Sequence, residues 1–114
     1  MKEHKIFSMP FADVYPHYLN KLTRKGRSEL ELKEAIMSLT NYTEEDLSNI
    51  LSSKSSFKDF FANAPLLNPN RLNIKGSICG IKIDSMEDGL MKEIRYLDKI
   101  VDELAKGKKL ENIL

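Results

Sequence analysis

Apolar side chains recur at Phe11, Val14, Tyr15, Tyr18, Leu19 and Leu22. The spacing i, i+3, i+4, i+7, i+8, i+11 lays them along one face of an α-helix. Pro16 fits that helix only within its first turn, where a missing N–H costs nothing, so Asp13 or a near neighbour is the expected N-cap. Gly26, after Arg24-Lys25, is the expected stop. A second helix is expected from Ser28, with Glu31 completing a capping box, a buried stripe of Leu32, Ala35, Ile36 and Leu39, and Asn41 as its close. Thr43 caps a third, whose first turn is acidic and whose apolar positions are Leu47, Ile50 and Leu51. Ser56 caps a short fourth that presents Phe57, Phe60, Phe61 and Ala64 and ends at Pro65.

From about residue 72 the period changes to two. A type II′ turn at Gly76-Ser77 would set Lys75 opposite Ile78 and give a β-hairpin over about 72–83, with Leu72, Ile74, Cys79, Ile81 and Ile83 on its core face. An isolated hairpin is marginal in water, so this one must lie on the helices or pair with another chain. The strongest helical pattern comes last, from about Glu87 to Lys106, with a seam of Leu90, Ile94, Leu97, Val101 and Leu104 stepping by four and three. Gly107 stops it, and "KKLENIL" reads as a final short turn or a docked tail. The expected fold is α+β: a mainly helical single domain over residues 1–114, with about five helices, one hairpin, and the long C-terminal helix as its spine.

Composition narrows the class. The 114 residues are 41% hydrophobic, enough for one domain with a real core. Eighteen basic and seventeen acidic side chains leave a formal charge of +1, so no whole-molecule field draws nucleic acid or an anionic membrane, and such binding would need a local patch. Cys79 is alone, which excludes an intramolecular disulfide. The opening "MKEHKIFSMPF" lacks an apolar core of signal-peptide length, and no window reaches the roughly 18 apolar residues of a membrane helix. A cytoplasmic protein without membrane association is expected.

The strings "FADVYPHY", "RKGRS", "LTNY", "FFANAPLLNPNR", "ICGIKID" and "LMKEIRYLDKIVDELAKGK" resemble, in order and over nearly the whole chain, the small bacterial proteins of domain-of-unknown-function family 2200. Two departures stand out: Asn41 where the family usually has glycine, and Gly89 where it often has proline. Asn is the best substitute for a left-handed glycine. The resemblance implies a compact bacterial cytoplasmic domain and carries no activity with it.

Candidate chemistry centres on the loop Asn68-Pro69-Asn70-Arg71. Arg71 offers a bidentate fork for an anion or carboxylate, the Asn amides add donors, and Lys75 or Arg95 with Tyr96 would join if the fold brings them near. The competing reading is structural: Asn-Pro-Asn builds a turn through side-chain-to-backbone bonds, and Arg71 pairs with an acid of the last helix. Arg95 and Asp98, three apart, can pair within that helix. His17 with Asp13 makes a conceivable base near Tyr15 and Tyr18, and Cys79 a conceivable nucleophile, though each reads better as a surface or core position. Two His and one Cys, widely separated, give no zinc spacing, and Asp84, Glu87 and Asp88 are explained by a helix N-terminus, so no metal or cofactor is expected. The leading expectation is a non-catalytic binding or interaction module with a small anionic ligand at the loop. A small enzyme using the same loop is the alternative. A nucleic-acid binder through the second and third helices, near Lys21, Arg24, Lys25 and Arg27, comes third, disfavoured by the acids Glu44, Glu45 and Asp46 that open the would-be recognition helix. The hairpin and the heptad seam are the surfaces on which a homodimer would form.

Overall fold

The computed structural model describes residues 5–74, 77–78, 81–83 and 89–114. Among the described residues, six α-helices follow one another: α1 (Lys5–Ser8), α2 (Phe11–Thr23), α3 (Glu29–Thr40), α4 (Glu44–Ser53), α5 (Phe57–Ala62) and α6 (Leu90–Ala105), with 3₁₀ turns at Pro69–Asn73 and Leu110–Asn112. α2 packs on α3, α4 and α6, α3 on α4 and α6, and α5 on α1 and α6. The buried residues of α2 include Phe11, Val14, Tyr15, Tyr18 and Leu22, those of α3 Leu32, Ala35, Ile36 and Leu39, and those of α6 Ile94, Leu97, Val101 and Leu104. These are the stripes that the helical period picks out in the sequence.

Phe11 joins the start of α2 to α5. Its ring is stacked on Phe60 at 4.1 Å and meets Phe57 edge-on at 5.4 Å, each contact worth about 1 kcal/mol beyond the area it buries. Phe11 N donates to the Ser55 carbonyl at 2.7 Å and Phe57 N to the Met9 carbonyl at 2.9 Å. These bonds fix the start of α2 at Phe11, with Pro10 as its N-cap. Pro16 is therefore the sixth helical residue and lies beyond the first turn, and Asp13 is an acid of that turn, not the cap. Packing and main-chain pairing across the fold outweigh the bond that Pro16 withholds.

Ser28 Oγ accepts from Glu31 N at 3.3 Å, but the Glu31 carboxylate turns to Arg27 Nε at 2.7 Å. The reciprocated capping box stands instead at Thr43 and Asp46. Asn41 closes α3 in the left-handed region at φ 64°, as a glycine substitute should.

The α+β expectation is corrected: the fold is mainly helical. Where a hairpin was expected over 72–83, residues Pro69–Asn73 form a 3₁₀ turn, and the described residues contain one antiparallel contact of two residue pairs, Ser77 with Lys82 and Ile78 with Ile81. That is no sheet with a face to bury, and pairing Ile78 with Ile81 also overturns the register that set Lys75 against Ile78. Pro69 at the first position of the turn and the Asn68 side chain capping it form a local helical turn, which takes Leu72 out of any strand and leaves it 61% exposed. Ile74 and Ile83 still reach the core. Cys79 lies outside the described residues. Among the described residues, no helix is long and apolar enough to cross a membrane.

Candidate functional site

The Asn-Pro-Asn-Arg loop crosses the C-terminal end of α3, where a helix leaves its last carbonyls without partners. Leu66 N donates to the Thr40 carbonyl at 3.3 Å and Asn68 N to the Leu39 carbonyl at 2.7 Å. The Asn68 side-chain amide adds a bond to the Ser38 carbonyl at 3.1 Å. Three orphan carbonyls are thus met from a segment well downstream. Asn41 Nδ2 returns a bond to the Leu66 carbonyl. Asn68 Oδ1 meanwhile accepts from Asn70 N at 2.9 Å, and Asn70 Nδ2 donates to the main-chain oxygen of Leu114 at 2.9 Å.

Arg71 is held from both sides. Its Nε donates to Glu93 Oε2 at 2.8 Å, and its Nη1 donates to the Asn68 carbonyl at 3.0 Å, with a longer contact to Leu67. The two side chains are 18% and 19% exposed, so this pair sits in a less screened environment than an ordinary surface ion pair. Leu67 and Glu93, at either end of this set of bonds, also line a concavity of about 350 Å³ together with Phe7, Lys58, Phe61, Ala62 and Leu90. The loop is one wall of an apolar groove, with α1, α5 and the start of α6 as the others. Leu66 stands on the same loop, 64% exposed.

Of the other residues singled out in the sequence, Arg95 donates to Asp98 Oδ2 at 3.0 Å, and the second oxygen of Asp98 accepts the Tyr18 hydroxyl. Arg95 and Arg71 therefore each have a carboxylate of their own. Tyr96 is buried, with Lys92 Nζ 6.0 Å from its ring centre. Tyr15 donates to Glu29 at 2.8 Å. Burial first, and then the neighbouring carboxylate, raise the phenols of Tyr15 and Tyr18 above the usual tyrosine value. His17 is exposed on α2. Lys75, Asp84, Glu87 and Asp88 fall outside the described residues. Among those described, no group of three or more His, Cys, Asp or Glu is placed to hold a metal. Glu93 is the acid of the last helix that the structural reading of Arg71 called for without naming it, whereas sequence reasoning did not point to a groove at Phe7, Lys58 and Leu67. Leu90 and Glu93, three apart at the start of α6, carried the available signal.

A comparison with curated proteins finds no match. The crystal structure of the uncharacterised protein SP1917 is similar at 40% sequence identity with a TM-score of 0.90, over 99% of this chain and 93% of that one. The family model described as "Uncharacterized protein conserved in bacteria (DUF2200)" matches residues 5–114. With its helices, its Asn-Pro-Asn-Arg cap and its sequence all accounted for over that span, the chain belongs to the DUF2200 family of uncharacterised bacterial proteins.

Proposed function

We propose that this protein is a non-catalytic binding module that takes an apolar side chain or small apolar ligand in the groove bounded by Phe7, Phe61, Leu67 and Leu90. The observation that carries this reading is the contrast between the groove and its wall. The groove is lined mainly by carbon, whereas Asn68, Asn70 and Arg71 spend the donors described above on the chain itself. An anion at Arg71 would meet a guanidinium whose charge Glu93 already balances at 2.8 Å. An apolar group would gain burial without breaking any bond, at about 25 cal/mol per Å² covered. Of the titratable groups beside the groove, the Glu93 carboxylate is held by Arg71, and the phenols of Tyr15 and Tyr18 are bound to carboxylates elsewhere, which favours binding over catalysis.

The test is an NMR titration of labelled protein with indole and with octanol. Shifts confined to Phe61, Leu67, Leu90 and their neighbours are expected. Ala62→Trp, which fills the groove from an exposed position, should abolish them without lowering Tm. Absence of shifts near the solubility limit, or shifts that survive Ala62→Trp, would refute the reading. A dimer that Ala62→Trp dissociates would make a second copy of the chain the occupant.

A further inference from the structure

The two basic clusters of the chain, RKGR at 24–27 and KGKK at 106–109, are far apart in sequence and adjacent in space. Each is the turn that ends a helix, α2 and α6 respectively, and each turns at a glycine of positive φ, Gly26 at 75° and Gly107 at 100°. Arg27 Nη2 donates to the Lys108 carbonyl at 3.1 Å and ties the turns together. Lys21 and Lys106 both bond Asp102, at 3.0 and 3.1 Å, while Lys99 and Lys108 share Glu103. The C-terminal ends of α2 and α6 thus form one basic pole.

Compensation of the helix ends does not account for so many cations. Two helix C-termini supply about one negative charge between them. Asp102, Glu103 and Glu31 supply three more, against eight cations once Lys21 and Lys99 join the two turns. Glu111 lies just beyond the second turn. Among the described residues, Arg24, Lys25 and Lys109 are exposed and make no ion pair within the chain. A depression of about 560 Å³, lined by His17, Asn20, Lys21, Arg24 and Lys25, runs along α2 into the pole. With a net charge of only +1, the rest of the molecule is net acidic, so the attraction is local to this end.

We propose that this basic pole docks the phosphate backbone of a nucleic acid, without reading sequence. Protein interfaces favour aromatic anchors and are depleted in lysine, whereas this end is rich in lysine and its depression is lined by cations and polar groups. Phosphate oxygens are met by Lys and Arg as point and forked donors, and the exposed Arg24, Lys25 and Lys109 present such donors at one end of the fold. The acids that open α4 count against a recognition helix there, but not against contact through the α2 and α6 ends.

The experiment is fluorescence anisotropy of labelled single-stranded and duplex DNA of about 20 nucleotides, from about 50 to about 200 mM salt. Expected are similar affinities for unrelated sequences and a log–log salt slope of about −2 to −4, as for three or four neutralised phosphates. The triple variant Arg24→Ala, Lys25→Ala, Lys109→Ala removes no internal ion pair and should weaken binding about tenfold or more at low salt. A control pair, Lys33→Ala with Lys54→Ala, should change it little, and Ala62→Trp should leave it untouched. No binding at the lowest salt, a triple variant that binds like the parent, or equal displacement by poly-glutamate or phosphatidylserine vesicles would each overturn the proposal.

Discussion

The side-chain amide of Asn68 donates to the carbonyl of Ser38, thirty residues earlier, and so finishes a helix to which Asn68 does not belong. Removing that donor strands a part-buried carbonyl. Asn68→Ala should cost about 1–2 kcal/mol, read as a fall in the urea midpoint at unchanged m. Asn68→Asp keeps an acceptor for Asn70 N but sets a carboxylate against the negative end of α3, so it should destabilise at least as much as Ala.

Arg71 and Glu93 should behave as a coupled pair. A double-mutant cycle with Arg71→Met and Glu93→Gln is expected to show about 1–3 kcal/mol of coupling, because each single change leaves the other charge partly buried without its partner. Arg71→Lys should not rescue, since Nε and Nη1 serve separate acceptors that one ammonium cannot span. Coupling near zero would reduce the pair to an ordinary surface contact.

Alkali should unfold the protein through its phenols. Tyr15 and Tyr18 ionise near 10.0 in the unfolded chain and at higher pH in the fold, so what they contribute is complete below pH 10 and is lost as pH rises past it. Phenolate absorbance should show Tyr15, Tyr18 and Tyr42, all raised first by burial, titrating late and together with unfolding. Tyr15→Phe with Tyr18→Phe should begin less stable and lose less between neutral and alkaline pH.

Acid acts on Asp102. Burial pushes its carboxyl up, but bonds and charge from Lys21 and Lys106 outweigh that and hold it at about 2, against an ordinary 3.8. Its contribution, of order 1 kcal/mol after solvent screening, is present above the ordinary value and lost as pH falls through about 2. Unfolding midpoints at about pH 5 and about pH 2 should differ more in the parent than in Asp102→Asn.

The helices from α2 on were legible because their information is local, whereas the short α1 was not expected. The face of Phe11, Val14, Tyr15, Tyr18 and Leu22 is written at the helical period, and Ser28, Thr43 and Ser56 announce their helices by side-chain chemistry that acts within one turn. The stretch after Asn68 was misread because alternation at Leu72, Ile74 and Ile83 is a weaker signal than an Asn cap followed by proline, which sets a helical turn first. Pro16 was misplaced because what fixes the start of α2 is Ser55 and Phe60, more than forty residues away. In the candidate site the loop was visible as polar punctuation. The groove beside it was not, since Phe7, Phe61, Leu67 and Leu90 converge only through the fold.

The borrowed cap on α3 also sets an order of events during synthesis. Residues 29–40 can turn helical as soon as they leave the ribosome, but the carbonyls of Ser38, Leu39 and Thr40 wait for Leu66 and Asn68 to emerge. Until then the end of α3 frays, and the nascent chain exposes Leu39, which the finished protein buries completely. Because α3 also packs on α6, its buried face is completed only once residues 90–105 follow the loop, and a stalled chain that has not delivered both should be held by chaperones.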